Sequence, residues 1–146
     1  VKRIKYVSQF AVHWSRGDVE ALVSLAAQRN AAASITGILM TCGGIFFQVI
    51  EGPRDQVERL FTQIQADPRH REVLVLDVEE AVTSRHFPDW AMKRFDLGAE
   101  ADTRLAQVRA LLTTLVARRL ETERLTNALE RAIWNELAAT QHTDPG

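Results

Sequence analysis

Residues 43–52 read GGIFFQVIEG, two glycines followed by the strand-like run IFFQVIE. The run is apolar on both faces, as in a strand at the middle of a covered sheet, apart from the amide of Gln48 at its centre. A buried amide persists only where its donors and acceptor find partners, so Gln48 marks either a structural bond or a site. Upstream lies SITGILMT, and the two runs flank Cys42-Gly43-Gly44, which reads as a hairpin turn. Side chains alternate along a strand, so Ile45, Phe47 and Val49 point away from Phe46, Gln48 and Ile50, and both faces need cover.

Working outward, RIKYVS (3–8) reads as a strand with Ile4 and Tyr6 on one face. SRGDVEALVSLAAQRN reads as a helix. Ser15 is its N-cap, Asp18 stands at the capping-box distance, and Val19, Leu22, Val23 and Ala26 form one apolar stripe. After the hairpin, Pro53 can open a second helix at its first position, with Val57, Leu60, Phe61 and Ile64 as its stripe. EVLVLDVEE is an alternating strand, and AMKRFD is a fifth after the loop TSRHFPDW. The order βαββαβ plus one added strand predicts an α+β, ferredoxin-like sheet with both helices on one face. The first and third strands are neighbours in that topology, which lets Tyr6 approach Gln48. From Ala99 to Asp144 there is no glycine or proline. Leu105, Val108, Leu112 and Leu115, then Leu125, Leu129, Ile133 and Leu137, predict one long helix or two joined ones. These cover the other face and end in a loose tail, QHTDPG.

The 146 residues suit one domain with a real core, and 46% hydrophobic with 25% charged residues is ordinary for a soluble globular chain. A net charge of −1 leaves no footprint for nucleic acid or anionic membrane. No run is long enough to cross a bilayer, and no signal pattern precedes the first strand. The start at Val1 suggests a trimmed or renumbered chain. Cys42 is the single cysteine, which excludes an internal disulfide and fits a cytoplasmic, reducing setting, with the thiol as filler. His13, His70, His86 and His142 are scattered without metal-ligand spacing, so no metal is expected. Gly43-Gly44 lack the lysine and hydroxyl of a phosphate loop, and Asp77, Glu79 and Glu80 read as an exposed strand end. These features favour a binding or regulatory module over an enzyme.

Three polar residues stand out: Tyr6 in a strand core, Asn30 just past a helix end, and Gln48. Taken separately, Asn30 is a C-cap, Tyr6 a core aromatic with its hydroxyl on a carbonyl, and Gln48 a partner of neighbouring backbone. Taken together, they surround one flat heteroaromatic ligand between the two helices. Amides offer donors and an acceptor that match an edge of alternating C=O and N–H groups, such as that of a flavin.

KYVS, NAAASITGILM, FFQVIEG, DPRH and FPDWAMK, in this order and spacing over residues 2–96, resemble the BLUF domain, the sensor of blue light using FAD. The resemblance implies that Tyr6 is the photochemically active tyrosine, which gives an electron and a proton to the excited flavin. It makes Gln48 the glutamine linking that tyrosine to the flavin, rearranged by the transfer, and Asn30 the amide on the pyrimidine edge. Arg29 either reaches the ribityl or phosphate groups or is a solvated arginine favoured by the helix dipole. Asp67 and Arg69 match the DxRH segment close to the flavin, where His70 is a structural residue. Gln63 stands where members often carry a basic residue. Phe46 and Ile64 line the ring pocket. Trp90 and Met92 match a pair whose exchange is part of signalling, and either can face Gln48. The implied cofactor is FAD, with FMN or riboflavin as possible substitutes.

The segment LLTTLVARRLETER is similar to the coiled coil of BLUF-linked adenylyl cyclases. It implies a homodimer through the C-terminal helices, with residues 1–98 as the photosensory domain and 99–146 as the helical extension for dimerisation and output. The signal passes to the helix starting near Asp102 and on to an effector domain or partner protein. No cyclase domain lies within the chain, so the module itself is not read as an enzyme. The alternatives are a ferredoxin-like regulatory module that binds a small molecule without photochemistry, and an acylphosphatase-like hydrolase using Arg29 and Asn30.

Overall fold

A computed structural model describes residues 1–11, 15–42, 44–96 and 106–141. The strands and helices are β1 (Lys2–Phe10), α1 (Arg16–Ala32), β2 (Thr36–Cys42), β3 (Ile45–Gly52), α2 (Arg54–Ala66), β4 (His70–Glu79), β5 (Lys93–Asp96) and α3 (Ala106–Gln141). One five-stranded sheet has the order β4-β1-β3-β2-β5. The four strands of the ferredoxin-like part pair antiparallel, and β5 adds to β2 in parallel. The fold is therefore α+β, as the element order predicts. By contacts the chain divides into two compact units, Val1–Arg109 and Ala110–Gly146.

In the first unit Ile4, Tyr6, Leu39, Phe46 and Ile50 share a core with Val19 of α1 and Val57 of α2, so both helices lie on one face. Ser15 caps α1 as expected: its Oγ accepts the Asp18 N–H at 3.1 Å, and Asp18 Oδ2 accepts the Ser15 N–H at 2.9 Å. The far end of that helix corrects the sequence reading, which put Asn30 beyond it. α1 continues to Ala32, and the chain turns at Ser34, whose φ of 57° is left-handed. Asn30 thus lies in the last turn, its side chain turned inward to a bond that a C-cap would not make. Pro53 is the residue before α2 instead of its first, and β1 is longer than the run 3–8.

The hairpin is pinned where glycine is required. Gly44 has φ 84°, and a Cβ on Gly37 would sit 1.9 Å from the Val49 carbonyl oxygen. Cys42 closes β2 opposite Ile45, within the strand. The second unit consists of most of α3, a single helix of 36 residues. Thr114, Thr122 and Thr126 spend their hydroxyls on carbonyls four residues back, which lets a polar side chain sit in a helix at little cost. Gln141, read as the first residue of the loose tail, is the last of α3, and the expected start near Asp102, Leu105, His13, Gly43, His142 and the rest of the tail lie outside the described residues.

Candidate functional site

Tyr6 and Gln48 are direct partners across β1 and β3. Both are buried, at 0% and 9% exposure, and Tyr6 Oη donates a hydrogen bond to Gln48 Oε1. Phe61 of α2 packs on the Tyr6 ring at 5.3 Å between centroids. Burial pushes the phenol pKa up, so Tyr6 holds its proton and remains a donor to the amide oxygen. The Gln48 nitrogen faces Met92, 3.7 Å from its Sδ. A thioether is a weak acceptor, so the amide N–H groups are only partly satisfied.

Gln48 forms part of a cavity of about 120 Å³ between the two helices and the sheet. Leu22, Val23 and Ala26 of α1, Leu60 and Ile64 of α2, and Leu39 and Phe46 of the sheet supply apolar walls. These are the stripes read in the sequence as core, and here they line a slot as well. Arg29, Asn30, Gln63, Asp67, Arg69 and His70 supply the polar rim. Every predicted cofactor contact is thus brought to one cavity, although they come from α1, β3, α2 and the turn after α2.

Asn30, 3% exposed, donates Nδ2–H to the Ala91 carbonyl at 2.8 Å. Its Oδ1 takes no hydrogen bond among the described residues, which leaves an acceptor on the cavity that the partly satisfied Gln48 amide also lines. Asp67 and Arg69 pair with each other, Nε lying 2.9 Å from Oδ1. The Arg69 guanidinium lowers the Asp67 pKa to about 2. Phe46 is buried against Phe10 and His70. His70 Nδ1 is 2.9 Å from Ser8 Oγ, and desolvation lowers the imidazole pKa. The sequence reading took His70 as structural. The cavity wall includes it, and its pairing with Ser8 depends on a strand register that no local pattern reveals.

Of the two candidates to face Gln48, Met92 does so and is buried. Trp90 stacks on Phe87 at 6.0 Å and meets the edge of Phe95 at 5.9 Å, with Lys93 Nζ 4.4 Å from its ring centroid. Sequence reasoning also missed the buried pair Arg3–Glu51, because a charge near a strand end reads as solvated until its partner across the sheet is known.

The family model described as sensors of blue-light using FAD, BLUF, matches residues 1–93. The chain belongs to the BLUF family. It is 37% identical to the photoactivated adenylate cyclase subunit beta of Euglena longa over 61% of this chain, and it spans only 10% of that relative. Among solved structures, a bacterial light-regulated adenylyl cyclase superposes with a TM-score of 0.78 at 32% identity, covering 84% of this chain and 36% of the other. The dark state structure of BlrB, a BLUF protein, superposes with a TM-score of 0.65 at 34% identity, covering 90% of this chain and 93% of the other.

BLUF domains bind flavin, and the residues of this BLUF domain fit that group. The slot is apolar on its walls, and its buried amides leave an acceptor on Asn30 and donors on Gln48 for the edge of a ring. Among the described residues no three His, Cys, Asp or Glu side chains converge on a metal site. No described helix is long and apolar enough to cross a membrane.

Proposed function

We propose that this blue-light sensor domain works through Tyr6 and Gln48, with a flavin in the slot between α1 and α2. The observation that carries the reading is the buried Tyr6 Oη–Gln48 Oε1 bond at the wall of that slot. Asn30 would accept from the ring edge, Phe46 and Ile64 would flank the ring, Arg29 would hold the ribityl or phosphate groups, and Asp67 with Arg69 would close the rim. A flavin held there, whether FAD, FMN or riboflavin, would supply blue-light absorption and an excited-state electron acceptor. Tyr6 would be the electron donor, and its Oη proton would pass along the hydrogen bond to Gln48 Oε1 while a proton on Gln48 Nε2 leaves toward the ring that takes the electron, so that charge balances and the amide is left as its tautomer. The Gln48 amide then rearranges, and the return of the electron and proton to Tyr6 closes the cycle without net conversion. On its nitrogen side the amide has only the soft thioether of Met92, so the bond to Tyr6 is the one that the turn has to break.

Residues 1–98 form the photosensory part in this reading, and 99–146 serve dimerisation and output. Leu125, Leu129, Ile133, Trp134 and Leu137 of α3 are exposed, and an exposed apolar stripe on a helix fits a second copy. Output runs through α3 to an effector, of which a nucleotide cyclase is one kind, and the module itself turns over no substrate. Trp90 and Met92 carry the signal from Gln48 to the edge of the sheet.

An absorption spectrum of the purified protein before and after blue light tests the photosensory reading. A flavin spectrum that moves reversibly to the red supports it. A protein that stays colourless after FAD is added, or a flavin spectrum unmoved by light, overturns it and leaves a small-molecule module without photochemistry.

A further inference from the structure

We propose that Glu51 is a positioning residue for the Gln48–Met92 contact, acting through the backbone of the connection between β4 and β5. The inference rests on the reading of Gln48 as the responsive amide. β4 and β5 lie on opposite edges of the sheet, so the chain between them has to pass β1, β3 and β2. It does so without regular structure, held by bonds to those strands. Arg3 on β1 donates Nη2–H to the Ser84 carbonyl at 2.9 Å. Glu51 on β3 accepts the His86 N–H on Oε2 at 3.1 Å and the Phe87 N–H on Oε1 at 2.6 Å. On β2, the Gly37 N–H donates to the Trp90 carbonyl at 2.8 Å.

Glu51 is the centre of this row. Its side chain is 0% exposed, and one carboxylate holds two successive backbone amides, which fixes both the place and the orientation of the connection. Arg3, 1% exposed and opposite Glu51 in register, donates Nε–H to the same carboxylate at 2.9 Å. Its Nη1 reaches Glu79 at the end of β4, at 2.8 Å. Gln48 and Glu51 belong to the same strand, so β3 carries both the amide and the clamp that decides what abuts it. Trp90 and Met92 are two residues apart, the repeat of an extended chain, so a slide of the connection by that repeat exchanges them. Such a slide must break both Glu51 bonds at once, which leaves a buried carboxylate with the Arg3 Nε–H alone.

The test replaces Glu51 by glutamine, which keeps the size but turns one acceptor oxygen into an NH2 that meets an N–H donor. The chain has two methionines, Met40 and Met92, so methyl-labelled methionine gives two signals to follow by NMR in the dark protein. In Glu51→Gln the Met92 methyl signal moves or splits while that of Met40 stays. An unmoved Met92 signal, or equal movement of both, overturns the proposal. The flavin-loaded protein adds a functional readout. Glu51→Gln changes the dark-recovery rate by about threefold or more in the native background and leaves it unchanged in Met92→Ala, because the effect travels through Met92. The same factor in both backgrounds overturns the proposal, since general loosening is blind to Met92. Where Glu51→Gln does not fold, Glu51→Asp, which keeps the charge beside Arg3 and draws the carboxylate back from the His86 and Phe87 amides, takes its place in both measurements with the same outcomes. A native protein without a light-induced shift defeats the photosensory reading alone, because the methyl signals still report on the clamp.

Discussion

Tyr6 is a phenol with one partner, and that partner is an amide with no strong bond elsewhere. The pair is directional, since Tyr6 donates and Gln48 accepts, and burial keeps the phenol neutral. Tyr6→Phe keeps the ring packed on Phe61 and removes the donor. Flavin remains bound and the light-induced red shift disappears, as read by difference absorption; a persisting shift would remove Tyr6 from the mechanism. His70 gives a pH-dependent prediction. Desolvation holds its folded pKa below the ordinary 6.5, so the unfolded chain takes up the proton first. Its contribution is therefore complete above the unfolded value of 6.5 and is lost as the pH falls below it through the lower folded pKa. Urea midpoints measured from neutral to mildly acidic pH should drop in the native protein and flatten in His70→Asn. Asp67 has the acid-side behaviour of a paired carboxylate. Its stabilisation is present above the unfolded value of 3.8 and is lost as the pH falls through about 2. Partial exposure of the Arg69 pair screens it, and Asp67→Asn should cost about 1 kcal/mol in urea denaturation at neutral pH.

At the scale of elements, helix ends and strand contacts decide where site residues point. The Ser15–Asp18 box was legible because the residue types and their spacing are themselves the mechanism. Ser15→Ala should cost about 1 kcal/mol of stability and leave the cavity unchanged, as thermal and urea unfolding would show. Gly37 is the opposite case. It looks like one more glycine in a strand, yet a Cβ there meets the Val49 carbonyl at 1.9 Å, on backbone that cannot yield. Gly37→Ala should destabilise by about 3 kcal/mol or more and loosen the adjacent Trp90 carbonyl bond. The end of α1 was misread for a physical reason. Asparagine is a common terminator, and Asn30 is followed by alanines and a serine with no glycine to mark the real end. The stop comes from left-handed Ser34, while Asn30 stays helical because its amide is engaged by Ala91.

At the scale of the whole molecule, the proposed dimer and output path rest on α3. α3 is uninterrupted because its sequence holds no glycine or proline, and its exposed leucines remain to be covered. If a second copy covers them, sedimentation equilibrium gives twice the chain mass, and Leu125→Glu with Leu129→Glu gives a single chain with its flavin spectrum intact. A native protein that sediments as one chain would remove dimerisation from the proposed function.

The sequence by itself determined the element order, the sheet type, the α1 N-cap and the adjacency of the strands that carry Tyr6 and Gln48. Each of these follows from local periodicity, from residue chemistry at short spacing, or from the few topologies that βαββαβ permits. Only the tertiary structure decided that Met92 and not Trp90 abuts Gln48, that His70 meets Ser8, and that Arg3 and Glu51 are buried together under the β4–β5 connection. Those facts depend on strand register and on the path of an irregular segment across the sheet. Both are set by contacts between residues far apart in the chain, which no local pattern records.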